Sequence, residues 1–286
     1  MAEQKTILVT GGAGFVGSHL IEALVQDTSN RVISLDNYFT GSKENHIAGA
    51  EYHEGHTKDI VQHVSESPDL VYHLGEYARV EKSFEDVATT WDLNIPGTFG
   101  VLEFCRARGA KMVYAGSSTK FGDGGMGRDQ SPYAWTKATN TELVRNYGDW
   151  FGLDYAITYF YNVYGPRERS GSYGTVIAIF AERVKQGLPL LVTAPGTQRR
   201  NFTHVRDIVD GLLRVGEQGH GDEYGLGASV SYSIREVAEL FGGEVELVPE
   251  RQGNRMNGKL DVRRTKQELG WEATHKLEEY ISEIMS

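Results

Sequence analysis

A serine, a tyrosine and a lysine in the middle of the chain have the residue types and the spacing for acid–base chemistry on a hydroxyl group. Tyr133 and Lys137 lie four residues apart, so they share one face if the segment is helical. A phenol is a poor base at neutral pH, but a neighbouring ammonium group favours its ionised form. Ser117 could hydrogen-bond the same substrate hydroxyl. The alternative is that Tyr133 is an ordinary helix-face aromatic residue and Lys137 a solvated charge.

A glycine-rich run near the N-terminus has the pattern of a phosphate-binding turn. The segment TGGAGFVG, from Thr10 to Gly17, follows a candidate strand and opens a helical pattern. Glycines let the backbone approach a pyrophosphate, and a helix N-terminus offers free N–H groups. Asp36 ends the next candidate strand, where a carboxylate accepts hydrogen bonds from ribose hydroxyls. Because no Arg or Lys follows Asp36 before Lys43, the pattern predicts NAD rather than NADP. The alternative is a tight turn beside a solvated aspartate.

The elements that must position these residues alternate between strands and helices. Apolar runs predict strands at Ile7–Thr10, Val32–Asp36, Leu70–Leu74, Lys111–Ala115 and Ala156–Phe160. Helical periodicity predicts helices at Val16–Gln26, Trp91–Arg108 and Pro132–Trp150. Near-continuous apolar strands separated by helices are typical of a parallel sheet covered on both faces. The expected fold class is therefore α/β, with a doubly wound parallel sheet of the Rossmann type.

The pattern becomes irregular after residue 165. Helices are predicted at Thr175–Gln186, Ile208–Gly216 and Ile234–Phe241, with short strands near Leu190 and Val245. We therefore predict a cofactor-binding Rossmann domain over residues 1–165 and a smaller C-terminal α/β lobe over residues 166–286, with interleaved elements. In open α/β sheets ligands bind outside the carboxyl ends of the strands, which here means between the two lobes.

Composition excludes several function classes. A net charge of −10 gives no long-range attraction for nucleic acid or anionic lipid, so neither is an expected partner. A single cysteine, Cys105, excludes an intramolecular disulfide, and the nine histidines lack metal-binding spacing, so no metal is expected. The chain has no apolar run long enough to span a membrane and no leader pattern. The expectation is a cytoplasmic protein without membrane partners.

Further segments carry a resemblance to a known family. They are DLVYHL at Asp69–Leu74, LNIPGT at Leu93–Thr98, YAGSS at Tyr114–Ser118, SPYAWTK at Ser131–Lys137, FYNVYGPRE at Phe160–Glu168 and QRRNFTHVRD at Gln198–Asp207. With the glycine run, these segments make the chain similar to the extended short-chain dehydrogenase/reductases. The similarity is greatest to the NAD-dependent nucleotide-sugar epimerase/dehydratase family, which includes UDP-glucose 4-epimerases.

The resemblance implies three groups of site residues. The catalytic group is Ser117, Tyr133 and Lys137. The NAD-binding group is Gly11, Gly14, Phe15, Val16, Gly17, Asp36, Asn37, Asp59, Ile60, Leu74, Tyr133 and Lys137, in which Asp59 and Ile60 bracket the adenine. The substrate-binding group is Glu76, Ser118, Lys120, Asn162, Arg200 and Arg251. Asn162 and the two arginines would hold the diphosphate of a nucleotide sugar. For each arginine the alternative is a surface ion pair.

The implied activity is nucleotide-sugar 4-epimerisation through a transient 4-keto sugar, with NAD retained. Dehydratases of the family carry an Asp-Glu pair just after the catalytic Ser or Thr, where this chain has Ser118 and Thr119. Ordinary dehydration is therefore disfavoured. The alternatives are a nucleotide-sugar 4-dehydrogenase, an unorthodox dehydratase that uses Glu76 and Lys120, and a non-catalytic NAD-sensing protein. A salt bridge between Glu76 and Lys120 is the favoured interpretation of those two residues.

The resemblance also implies a homodimer. The two longest predicted helices, Trp91–Arg108 and Pro132–Trp150, would form its interface. Apolar residues at helical spacing on the first of them could serve that interface or the core; they are Trp91, Ile95, Phe99 and Leu102.

Overall fold

A seven-stranded parallel sheet forms the centre of the molecule. The computed structural model describes residues 4–121, 123–249 and 259–286, without the side chains at 120–126. The strands of the described chain are β1 (Thr6–Thr10), β2 (Arg31–Asp36), β3 (Ala50–Glu54), β4 (Leu70–His73), β5 (Lys111–Ser117), β6 (Tyr155–Phe160), β7 (Val163–Tyr164), β8 (Leu190–Thr193), β9 (Arg199–Asn201), β10 (Thr203–His204), β11 (Gly221–Leu226), β12 (Ser231–Ser233) and β13 (Val245–Val248). The order in the large sheet is β11-β6-β5-β4-β1-β2-β3.

Helices cover both faces of this sheet. The described helices are α1 (Phe15–Leu24), α2 (Ile60–His63), α3 (Val87–Arg108), α4 (Pro132–Phe151), α5 (Val176–Lys185), α6 (Val205–Gln218), α7 (Ile234–Phe241), α8 (Arg263–Leu269) and α9 (Leu277–Met285). Helices α3 and α4 pack together on one face, and α1 and α6 pack together on the other. The predicted doubly wound α/β fold is confirmed.

The strands are apolar on both sides because each side faces a helical layer. Leu8 and Tyr114 join the core under α3 and α4, with Phe104 among their neighbours. Ile7 and Val9 point the other way, into the core under α1 and α6. Burial on both faces explains why these strands are continuous apolar runs rather than alternating ones.

The strand order reverses between β1 and β4, and this places the ligand crevice. From β1 the chain runs outward to β2 and β3, whereas β4 and β5 lie on its other side. Thr10 and His73 are register partners at the ends of β1 and β4, and the Thr10 Oγ1 and His73 Nδ1 atoms are 2.7 Å apart. In open α/β sheets such a reversal opens a crevice at the carboxyl ends of the strands.

The C-terminal part of the chain forms a smaller lobe and also completes the large sheet. Three two-stranded pieces, β7–β10, β9–β12 and β8–β13, build the lobe around its own core, which includes Phe180, Val237 and Phe241. Strand β11 and helix α6 instead belong to the large sheet and its covering layer. A domain division at residue 165 stays a proposal, with these two elements as the interleaved part.

Candidate active site

The glycine run forms a tight turn between β1 and the N-terminus of α1. Gly11 has φ of +73° and donates its N–H to the Leu35 carbonyl at 2.8 Å. A Cβ atom at Gly17 would lie 2.1 Å from the Gly11 carbonyl oxygen, so only glycine fits there. The first N–H groups of a helix lack intrahelical acceptors, which makes the start of α1 an anion-binding position. The predicted residues that line the adjoining cleft, of about 230 Å³, are Gly11, Gly14, Phe15, Val16 and Gly17.

Asp36 lies at the end of β2 and lines the same cleft, as predicted. Its carboxylate accepts from the Ala13 N–H at 2.9 Å and from the Tyr38 N–H at 2.8 Å. Burial raises the pKa of this carboxyl group, and the two backbone N–H groups oppose the rise. Each carboxylate oxygen has more than one acceptor position, so both remain able to accept from ribose hydroxyls.

The remaining predicted cofactor residues lie in two places. Asn37 and Leu74 line the cleft beside Asp36. Ile60 begins α2 and its side chain is buried in the core under α3, while Asp59 ends the preceding 3₁₀ turn. Neither is among the residues that line the described cleft. Their role at the adenine stays a prediction.

Ser117, Tyr133 and Lys137 meet at the carboxyl end of β5. Ser117 is the last residue of β5, and its Oγ lies 2.9 Å from Thr119 Oγ1. Helix α4 begins immediately after Ser131, whose side chain accepts from the Ala134 N–H at 3.0 Å. This cap fixes the start of α4. Tyr133 and Lys137 lie one turn apart on this helix, and both line the cofactor cleft.

Glu76, one of the predicted substrate residues, has an unexpected partner. Its carboxylate forms an ion pair with the Lys137 ammonium group, which also donates to the Ala115 carbonyl. The side chains of Glu76 and Lys137 are only 3% and 6% exposed. The sequence interpretation paired Glu76 with Lys120, whose side chain lies outside the described residues. The structure instead gives Glu76 a partner on α4.

A second, larger cavity of about 1170 Å³ lies between the two lobes. One wall comes from the segments after β4 and β5, and the other from β6, α5 and the small lobe. The cavity meets the cofactor cleft at residues that line both; they include Phe15, Val16, Arg79, Ser117, Tyr133 and Phe160.

Three of the predicted substrate residues line this larger cavity, namely Ser118, Asn162 and Arg200. Asn162 has φ of +38°, a region that asparagine tolerates better than most residues, and its Nδ2 donates to the Asn201 carbonyl at 3.1 Å. Arg200 lies on β9 and donates to the Arg199 carbonyl at 2.9 Å. Glu76 lines the cofactor cleft instead. Arg251 lies outside the described residues.

Comparison with known proteins gives the family. The family model for the NAD dependent epimerase/dehydratase family matches residues 7–227. The chain belongs to this family. Among curated relatives, UDP-glucuronic acid decarboxylase 1 of Xenopus tropicalis is 31% identical, over 99% of this chain and 72% of its own. UDP-glucuronic acid decarboxylase 6 of Arabidopsis thaliana is also 31% identical, over 96% of this chain and 85% of its own.

Solved structures of the epimerase/dehydratase family superpose on almost the entire chain. The UDP-glucose 4-epimerase of Thermotoga maritima, with UDP-glucose, gives a TM-score of 0.92 at 28% identity and covers 98% of this chain and 97% of its own. The Thermus thermophilus UDP-glucose 4-epimerase, in complex with NAD, gives 0.87 at 30% identity and covers 96% of both chains.

NAD is the cofactor of this family member, and the residues of the small cleft fit it. Glycine at position 17 lets the start of α1 pack closely against the Gly11 carbonyl, and a helix that starts this close to its strand suits a pyrophosphate. Asp36 lines this cleft, and its carboxylate suits the predicted hydrogen bonds from ribose hydroxyls. Tyr133 and Lys137 line the same cleft.

Sequence reasoning missed Arg79. Arg79 lines both cavities, and its guanidinium group donates to the Tyr173 carbonyl and, at 2.9 Å, to the Ala78 carbonyl. Glu168, whose pKa burial raises to about 7, interacts electrostatically with Arg79. Its position in the sequence could have indicated a role at the site, because Arg79 closely follows β4 at the point where the strand order reverses.

The described residues contain neither a candidate metal site nor a candidate membrane-spanning helix. Among them, no group of three His, Cys, Asp or Glu side chains could hold a metal ion. No helix in the described ranges is both long and apolar enough to cross a membrane.

Proposed function

We propose that this enzyme is a nucleotide-sugar 4-epimerase that acts through a transient 4-keto sugar. The observation that carries the proposal is that Ser117 and Tyr133 line both the cofactor cleft and the larger cavity. A sugar in the larger cavity would therefore present a hydroxyl to these two side chains and its carbon to the cofactor. This junction suits oxidation of an alcohol, because it holds the reacting carbon next to the cofactor.

The residues divide the proton chemistry between them. When bound, NAD supplies the oxidising power that removes hydrogen from the sugar carbon and returns it. Tyr133 takes the proton of the C4 hydroxyl and gives it back, while Ser117 hydrogen-bonds the same oxygen. Inversion requires the keto sugar to turn over before hydrogen returns to its other face, and a cavity of about 1170 Å³ leaves room for that rotation.

The nucleotide diphosphate would bind on the small-lobe side of the cavity. Arg200 offers a guanidinium fork and Asn162 an amide, which are the groups that suit phosphate oxygens. The chain has a net charge of −10, so an anionic substrate must be neutralised locally rather than attracted from a distance. Lys120 and Arg251 stay predicted substrate residues from the family resemblance.

A second candidate is decarboxylation of a nucleotide-linked uronic acid. The observation that favours it is the 31% identity, over nearly the entire chain, to relatives named UDP-glucuronic acid decarboxylases. Both reactions begin with oxidation at C4, which places a ketone β to the C6 carboxylate and so allows carbon dioxide to leave. Water elimination is less favoured, because Ser118 and Thr119 offer no carboxyl group to act as acid or base.

Product analysis distinguishes these reactions. The purified enzyme is incubated with a panel that includes UDP-glucose, UDP-N-acetylglucosamine, dTDP-glucose and UDP-glucuronic acid, and products are identified by NMR and mass spectrometry. An unchanged mass with inverted C4 is the expected result. Loss of carbon dioxide from UDP-glucuronic acid makes the enzyme a decarboxylase, loss of water a dehydratase, and accumulation of NADH a dehydrogenase. No conversion of any substrate, with NAD bound, favours the NAD-sensing alternative.

We also propose that the chain forms a homodimer through α3 and α4. Trp91 and Trp135 stack across these two helices with ring centroids 5.7 Å apart, yet they are 50% and 36% exposed, and Phe99 is 52% exposed. Leu102 is fully buried in the core instead. An apolar face of this kind, on two adjacent helices, suits contact with the same face of a second copy of the chain.

Sedimentation should give twice the mass of one chain, and the double variant Trp91→Ser with Phe99→Ser should give a folded monomer. A wild-type monomer at micromolar concentration would contradict the proposal.

A further inference from the structure

Glu76 lies just beyond β4, with its carboxylate turned toward the layer between the sheet and helices α3 and α4. Thr98 on α3 donates to its Oε1 atom at 2.8 Å, and Asn140 on α4 donates to the same atom at 2.8 Å. Tyr114 on β5 donates to it at 3.2 Å, and Oε2 pairs with Lys137. Four side chains from three elements, α3, α4 and β5, therefore hold one carboxylate in place.

The ion pair confines Lys137. Its ammonium group is fixed by Glu76 and by the Ala115 carbonyl, and it lies 4.7 Å from the centroid of the Tyr114 ring. Burial tends to raise the pKa of Glu76, but Lys137 and the hydrogen bonds hold it below its usual value. Glu76 is thus ionised at neutral pH, and the pair carries no net charge.

No other titratable group described near the pair can balance the charge of Lys137 in place of Glu76. His73 is fully buried, which lowers its pKa to about 4, so it is neutral. Burial raises the pKa of Tyr114 and keeps it neutral as well. Arg79 interacts electrostatically with both Tyr133 and Glu168. Glu76 is therefore the carboxylate that balances Lys137 among the described residues.

We propose that Glu76 is a positioning residue that holds the Lys137 ammonium group beneath α4 and sets the pH range in which Tyr133 exchanges its proton. The argument rests on the proposed function only in taking Tyr133 as the acid–base group. An unbalanced ammonium group in a low-dielectric site would stabilise the phenolate strongly. Tyr133 and Lys137 lie one turn apart on α4 and line the same cleft, and Glu76 balances the ammonium charge that would otherwise act on the phenol.

The test compares Glu76→Gln with the wild type, using Glu103→Gln as the control. Gln keeps the shape of Glu and an oxygen that can accept from Thr98, whereas Glu103 pairs with Arg106 and Tyr147 away from the site. In Glu76→Gln, the tyrosinate absorbance that is lost in a Tyr133→Phe background should develop at a pH lower by about one unit or more. The acidic limb of the pH–activity profile should move with it, and Glu103→Gln should change neither.

A double variant keeps the proposal testable if Glu76→Gln fails to fold. Glu76→Gln with Lys137→Met removes both charges, a replacement that buried ion pairs commonly tolerate. The tyrosinate signal should then develop within about one pH unit of the wild type, because a balanced pair has been replaced by a neutral one. A rise of about two pH units in the double variant would show that Lys137 acts as an unbalanced cation and would overturn the proposal. An unshifted tyrosinate signal in Glu76→Gln would also overturn it. The titration needs no substrate, so it is decisive even if no nucleotide sugar is turned over.

Discussion

The cofactor cleft and the substrate cavity share a boundary but are built in different ways. The cleft is shaped largely by backbone, through the turn at Gly11–Gly17 and the start of α1, with Asp36 anchored to two N–H groups. The cavity is shaped by side chains from β6, α5 and β9, segments that are far apart in sequence. A site made from one local turn is visible in the sequence, whereas one assembled from distant side chains is not. The cofactor could therefore be predicted and the sugar could not.

The largest effect is expected at the boundary itself. Tyr133→Phe keeps the ring but removes the oxygen that exchanges the proton, so kcat should fall by a factor on the order of 10² or more. NAD should still bind, because the glycine turn and Asp36 are untouched. Turnover is measured on the true substrate and NAD binding by calorimetry. Near-normal turnover would show that another group is the base.

A smaller effect should separate the cavity from the cleft. Arg200→Gln removes a guanidinium group from the cavity wall, and the loss of one charge-assisted hydrogen bond should raise KM about tenfold with kcat and NAD affinity little changed. Arg199→Gln is the matched control, since the adjacent Arg199 pairs with Glu236 at 3.0 Å and is not among the described cavity-lining residues. Equal effects of the two substitutions would remove Arg200 from the diphosphate site.

The smallest effect concerns cofactor choice. Asp36→Asn keeps the shape and one acceptor oxygen but removes the charge that repels a 2′-phosphate. The preference for NAD over NADP should narrow by a few-fold, with the substrate KM unchanged, because Asp36 lines only the cleft. Fluorescence titration with each cofactor measures this. A wild-type protein with equal affinity for the two cofactors would refute the assignment of Asp36.

Sequence patterns predicted the central strands because burial on both faces makes them continuous apolar runs. The edge strands β3 and β11 were missed: β3 reads AEYHE and β11 reads GDEYGL, and neither has such a run. Spacing within one helix placed Tyr133 and Lys137 together. The ion pair with Glu76 was missed because it joins residues 61 positions apart, and only the packing of α4 on the sheet brings them into contact.

The buried ion pair also bears on the stability of the fold. Bringing a carboxylate and an ammonium group out of water costs about as much free energy as their attraction returns, and apolar residues of the same size often stabilise a core better. Packing alone therefore gives no reason for Glu76 and Lys137, which are 3% and 6% exposed, to be charged. Natural proteins tend to give up stability where activity requires it. If Tyr133 acts as proposed, the charged pair near it is a place where the requirements of activity and of stability differ.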